Sequence, residues 1–256
     1  MKNRIATIAR YTMLEGLRTR LPLLTFISAG VLLGASFFVR EIAVAESARF
    51  QTAFYAATIR CVCVFIAALF AIVSVTREFQ DKGLEVVLAL DLPRSSYIVG
   101  KLGGFLAIAA LIAILVSLPL IPLAGWQPVA QWTASLALEL AIVVALSLFC
   151  VVTFNQLMPA FSFVVAFYLF ARALTAIRLI SANPVADASS LSHQIMKWTL
   201  EALALIVPAF DAWTRTAWLV DAPAPWTTLL SIAAHSILLV VILASAAVFD
   251  MHRRNF

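Results

Sequence analysis

Three stretches of this chain, Leu21 to Val39, Leu102 to Ala124 and Trp226 to Phe249, run for 19, 23 and 24 residues without one Asp, Glu, Lys or Arg. A helix of roughly 20 apolar residues, rising about 1.5 Å per residue, crosses the ~30 Å hydrocarbon core of a bilayer. Three more stretches are long enough but carry charge: Ala53 to Val75 holds Arg60, Thr133 to Phe154 holds Glu139, and Pro159 to Ile180 holds Arg172 and Arg178. Backbone in lipid must satisfy its own hydrogen bonds, so the six stretches predict an all-α polytopic membrane protein with six transmembrane helices. Of the 256 residues, 63% are hydrophobic and 12% charged, whereas soluble domains are about 45–50% apolar and about 25% charged. A soluble globular enzyme is excluded, and so is a disordered chain. Three cysteines build no disulfide framework.

An even number of spans puts both termini on one side, and the basic residues choose it. With the termini inside, eleven of the eighteen Lys and Arg residues fall in cytoplasmic segments, as the positive-inside rule expects. All six tryptophans then lie toward the outer side, where indole rings favour the interface. The net charge of +5 follows from this topology and gives no nucleic-acid signal. Ala43-Val44-Ala45 after the first run has the form of a signal-peptide cleavage site. The run is longer than a usual signal core and 20 residues precede it, so the first span is expected to stay. The whole chain reads as a single transmembrane domain in the cytoplasmic (inner) membrane.

Residues 1 to 20 read as an interfacial helix. Arg4, Thr7, Tyr11, Glu15 and Arg18 form a polar stripe, and Ile5, Ala9, Met13 and Leu17 an apolar ladder. Such a helix lies on membrane lipid with its basic groups toward anionic headgroups. Residues 77 to 101, REFQDKGLEVVLALDLPRSSYIVGK, hold eight of the 31 charges between the second and third spans. Gly83 breaks the second helix, Leu84 to Leu90 is an apolar run too short to span, and Pro93 forces Leu92 out of the helical region. Ser95 or Ser96 can cap the helix that follows. The pattern predicts a short hinged helix with a charged rim and an apolar face, which is the shape of a docking element. Ordinary helix–helix turns run about 2–8 residues.

This order of residues, an acidic Gly-containing stretch, an apolar run, Leu-Pro-Arg-Ser-Ser-Tyr and a Gly-Lys opening the third span, resembles the first cytoplasmic loop of ABC-2 type ABC transporter permeases, the transmembrane subunits of type V ABC exporters. The matching residues are Arg77, Glu78, Gly83, Leu90, Pro93, Arg94, Ser95, Gly100 and Lys101. Pro93 and Arg94 are adjacent here, where the family usually separates them by one or two residues. The layout is similar throughout: an interfacial helix, six spans, a cytoplasmic coupling helix, and an outer re-entrant or helical segment before the last span. The resemblance implies pairing with a second permease copy or a homologue, and with two copies of an ABC ATPase subunit. It implies that the loop helix, with Arg77, Glu78, Asp81, Gly83, Leu84, Glu85, Val87, Leu88, Leu90, Pro93 and Arg94, docks on the ATPase. ATP and Mg would then be bound by the partner. Ser95 to Leu102 is the nearest approach to a Walker A loop. It lacks the first glycine and has Leu102 in place of the hydroxyl, so no nucleotide site is expected in this chain.

Charge inside a span is costly and needs a partner or a cavity. Helix rise puts Glu139 about 13 Å and Arg172 about 10 Å from the outer face, so the two are expected to meet between the fourth and fifth spans. The pair reads either as a structural staple or as part of a substrate path. Arg60 and Arg178 are expected near the outer interface, where long side chains snorkel. Residues 181 to 225 lie outside. Ser190, His193, Gln194, Lys197 and Glu201 mark the polar stripe of a helix, and the apolar run Ala202 to Val207 stops at Pro208. This segment is either an outer gate or a helix resting on lipid. Gly30 to Gly34 and Gly100 to Gly104 both fit the GxxxG packing pattern. Pro119 and Pro122 are expected to kink the third span.

Exporting or flipping a substrate with ATP hydrolysed by a separate subunit is therefore the leading expectation, with no catalytic residue and no metal ligand set in this chain. Sparse polarity in the third and sixth spans leans toward an amphipathic or hydrophobic cargo. Cys61 and Cys63 form a CxC that suits copper(I), but no Met or His cluster completes it. A permease of a copper-enzyme maturation or heme-related system is the alternative, followed by a polytopic membrane enzyme or a secondary transporter.

Overall fold

Apolar runs interrupted only by a few small or polar residues have one stable form in lipid, and the chain takes it. The computed structural model describes residues 2–80, 93–182 and 191–253. Among them the elements are α1 (Lys2–Arg18), α2 (Leu21–Ile42), α3 (Ser47–Gln80), α4 (Arg94–Ser117), α5 (Ile121–Ala124), α6 (Trp126–Phe154), α7 (Leu157–Ala182), α8 (Leu191–Ile206), α9 (Phe210–Trp213), α10 (Ala217–Val220) and α11 (Trp226–Arg253). Six helical segments are long and apolar enough to cross a membrane: α2, α3, the stretch Arg94–Ala124, α6, most of α7, and α11. The described residues are helical throughout their regular structure, and the chain is a multi-pass membrane protein.

The helix α6 is the hub. It packs on α3, α4, α7 and α11, and 72% of its most apolar window is buried, against 17% for both α2 and α11. Peripheral helices instead turn Phe26, Val31 and Phe38 of α2 and Leu230, Ile237 and Val241 of α11 outward. In water so many large apolar side chains would mark an interface; against lipid tails they need no protein partner. Asn155 takes the left-handed conformation (φ 56°) that ends α6. Its amide donates to the Val151 carbonyl, so α7 follows after only two residues, Asn155 and Gln156.

Pro119 and Pro122 do more than kink the third span. The α-helical pattern stops at Ser117, passes through a 3-10 turn at Leu118–Leu120 and resumes at α5. A proline nitrogen donates no hydrogen bond, so carbonyls in the preceding turn lose partners. Tyr55 Oη of α3 donates to the Val116 carbonyl at 2.9 Å. A side chain of a neighbouring span thus satisfies a carbonyl at the break.

Helix α1 is placed by protein as well as by its amphipathic pattern. It lies against α4, and its inward residues are Ile8, Thr12 and Gly16, whereas Met13 and Leu17 from the expected apolar ladder are exposed. A Cβ added at Gly100 would stand 2.7 Å from Ile8 Cβ, and one at Gly104 would stand 2.8 Å from the Ala9 carbonyl oxygen. The α1 backbone therefore uses the space that these two glycines leave. The other GxxxG behaves differently: nothing lies within 4 Å of a Cβ at Gly30 or Gly34.

Gly104→Val should push α1 off α4 and lower the stability of the solubilised chain by about 1–3 kcal/mol, the usual range for overpacking. Gly34→Val, which meets open space, should leave the thermal midpoint within experimental error. Tryptophan-fluorescence melts of both variants check this; equal effects would show that α1 is not held by close approach.

Candidate functional site

On the face of the bundle that carries α1, a lysine is buried among three helices. The Lys101 side chain on α4 is 3% exposed, and its Nζ lies 2.6 Å from Glu78 Oε1 and 3.3 Å from Glu15 Oε2. It also donates to Ser74 Oγ at 3.1 Å. The Ser74 hydroxyl donates in turn to Glu15 Oε2 at 3.0 Å, and Tyr97 Oη donates to Glu78 Oε2. Helical spacing builds the cluster: Ser74 and Glu78 are four residues apart on α3, Tyr97 and Lys101 four apart on α4, and Glu15 comes from α1. The Phe105 ring sits one turn further on, 5.7 Å from Nζ. A cavity of about 420 Å³ lined in part by Tyr11 and Thr12 opens beside the cluster.

These contacts frame the segment 81–92, because Glu78 stands just before it and Tyr97 just after it. Asp81, Gly83, Leu84, Glu85, Val87, Leu88 and Leu90 of the expected docking set lie outside the described residues. The others are placed. Pro93 is the exposed residue before the first turn of α4. Arg94 Nη1 donates to the Met251 and His252 carbonyls at 2.9 and 3.4 Å, a cation at the C-terminal end of α11 where helix carbonyls lack partners. Arg77 is exposed at the end of α3.

Toward the opposite face a second charged cluster crosses from α6 to α7. Arg172 Nη1 approaches Glu139 Oε1 to 3.5 Å, and Tyr168 Oη donates to the same oxygen at 2.9 Å. Glu139 is fully buried and Arg172 is 19% exposed. Arg172 also reaches the Phe210 carbonyl at 3.5 Å and Asp211 Oδ1 at 3.8 Å. The segment carrying α9 and α10 is therefore seated on the bundle: Phe210 is fully buried, 5.7 Å from the Tyr168 ring. Arg49 adds an exposed tie from α3, with Asp221 at 2.9 Å and Glu46 at 3.0 Å.

Arg60 departs from its expected place. Instead of snorkelling to the interface it is 4% exposed and donates to the Thr214 carbonyl. The segment after α8 folds back over it, so protein backbone takes the role expected of headgroups and water. Glu139 Oε2 and Arg60 Nε have no hydrogen-bond partner among the described residues. Glu15, Ser74, Tyr97, Arg60 and Asp211 were not singled out from the sequence as site residues. The available signal is Lys101 itself, a cation at the eighth position of α4 and immediately before the uncharged run that starts at Leu102.

Cys61, Cys63 and Cys150 are free thiols, and among the described residues no group of three His, Cys, Asp or Glu side chains is arranged to hold a metal. What both clusters can do is fix one helix against another through charge-assisted hydrogen bonds. In comparison with known proteins, the chain matches no family model and no curated sequence.

The Lys101 cluster makes an ordering testable. Lys101 is buried while both carboxylates are about one-third exposed. Glu15→Gln with Glu78→Gln strands a buried ammonium and should destabilise the chain by about 3–5 kcal/mol. Lys101→Met leaves carboxylates that water and Tyr97 still reach and should have the smaller effect. Thermal midpoints in detergent decide the order, and a larger loss for Lys101→Met would refute it.

Proposed function

We propose that this chain is the permease subunit of an ATP-driven exporter, moving a substrate out of the cytoplasm or into the outer leaflet with ATP and Mg bound by a separate ATPase. The α1 face, with both termini, is then cytoplasmic, and the membrane is the inner, cytoplasmic one. The supporting observation is the clamp across segment 81–92. Glu78 and Tyr97 are joined by a hydrogen bond, Glu78 and Lys101 by an ion pair, and Glu15 brings α1 into the same network. A push on the segment between them would reach α3, α4 and α1 together as a rigid-body displacement.

The sequence resemblance to ABC-2 permeases supports the same reading, since the segment bears the pattern of a coupling helix. The proposed assembly has two copies of the permease and two of the ATPase. Glu139, Arg172 and Tyr168 serve in it as a staple that holds α6 to α7, and the α9–α10 segment, tied down by Arg60 and Arg172, closes the opposite face as an outer gate.

Pull-down of the tagged full chain from membranes tests the reading. An ATP-hydrolysing subunit should accompany the unaltered chain and be lost when Glu85, Val87 and Leu88 are all changed to Ser, with the variant still inserted at normal levels. Undiminished recovery of that subunit would overturn the docking role of this segment.

A further inference from the structure

A groove of about 430 Å³ runs along the outside of the bundle where α2 meets α3, and its chemistry changes sharply at one end. Its walls are apolar, with Leu24 on α2 facing Ile66, Phe70 and Val73 on α3. Its rim at the α1 face holds Arg20 and Arg77, and among the described residues no acidic one lines it. Among the described residues neither guanidinium makes a hydrogen bond or an ion pair. That is unlike Lys101, Arg94, Arg60, Arg172 and Arg49, each of which has a polar protein partner.

We propose that this groove is a binding site for one anionic phospholipid of the leaflet on the α1 side, with its phosphate between Arg20 and Arg77 and an acyl chain against Leu24, Ile66, Phe70 and Val73. Length supports the assignment. Ile66 and Arg77 are eleven residues apart on one helix, or about 16 Å, and half of a ~30 Å hydrocarbon core is nearly the same. The groove is thus one leaflet deep, with its two cations at headgroup level. Arginine forks suit phosphate oxygens. With two cations and no carboxylate among its described residues, the rim favours a headgroup of net negative charge over a zwitterionic one, whose own ammonium the arginines repel. The proposal depends on the chain spanning a membrane and not on an ATPase partner.

Occupancy of this groove would bear on helix position. Arg20 sits at the corner between α1 and α2, and Arg77 near the end of α3, one turn from Ser74 and beside Glu78. A phosphate bridging them ties the α1–α2 corner to the same end of α3 that the Lys101 cluster ties to α4. Acidic lipid is in this sense a structural ligand, one that would stiffen the α1 face.

Native mass spectrometry of the full chain tests the site, with the protein delipidated in neutral detergent and titrated with phosphatidylglycerol or phosphatidylcholine. One phosphatidylglycerol should be retained in preference to phosphatidylcholine. Arg20→Gln with Arg77→Gln should weaken that preference about 30-fold, from two surface cations near an anionic headgroup, whereas Arg20→Lys with Arg77→Lys should keep most of it. Val73→Trp, which fills the groove and leaves both cations, should reduce retention of either lipid. Unchanged preference in the double Gln variant would overturn the proposal, as would unchanged retention with Val73→Trp. Displacement of the lipid by millimolar inorganic phosphate would identify a phosphate site rather than a lipid site. A dimer that takes up no lipid and dissociates with Val73→Trp would give the groove to a second copy of the chain.

Discussion

A lysine ammonium with 3% exposure has to be matched by other charges, and the α1 face of this protein is organised around that requirement. Lys101 finds two carboxylates and a hydroxyl on helices other than its own. Glu15 brings in α1, Ser74 and Glu78 bring in α3, and Tyr97 orients the carboxylate that approaches most closely. The arrangement needs α1 to lie close to α4, which the bare backbone at Gly100 and Gly104 allows. Close packing and ion pairing therefore specify one another here. A bulkier α4 would hold Glu15 away from Lys101, and without the ion pair α1 would retain its packing on α4 and its amphipathic attraction to lipid but lose the charge that fixes its register.

The other end of the bundle meets the same constraint with a different set of partners. Glu139 is fully buried on the hub helix α6 and receives a guanidinium and a phenol from α7. Arg60 and Arg172 then use backbone carbonyls, those of Thr214 and Phe210, and so recruit the segment after α8. Arginine suits this task because its planar fork presents several donors that serve a carboxylate and a carbonyl together. Between these two polar ends the interior is held by small and branched apolar residues around α6, where lipid offers no hydrophobic drive and close contact supplies the attraction.

In the proposed permease the two ends have separate tasks. The α1 face receives motion, because its network spans the ends of segment 81–92 and joins three helices. The opposite face resists or releases it, because the α9–α10 segment is fastened to α3 and α7 by contacts that are partly exposed and partly buried. The hub α6 connects them, with Glu139 toward one end and its contacts with α3 and α4 running toward the other. Lipid in the α2–α3 groove would add an external brace to the receiving side only.

Much of this organisation is legible in the residues alone. Runs such as Leu102 to Ala124 admit only a spanning helix, and helix rise alone puts Glu139 and Arg172 at similar depth, leaving to the packing of α6 on α7 the 3.5 Å contact between them. Other features are not local. Glu15 and Lys101 are 86 residues apart, so no window or period joins them. Arg60 reads as an interfacial side chain until the distant Thr214 carbonyl is folded onto it. Two identical GxxxG patterns diverge, one packed under α1 and one facing open space, because the motif states that approach is possible and not what approaches. The sequence by itself determined the number of spans, their helical form and the segments left outside them, since apolar runs of about 20 residues satisfy their backbone in lipid as helices. Only the tertiary structure decided which charges are paired, which faces meet protein and where the segment after α8 rests, because those depend on neighbours that come from elsewhere in the chain.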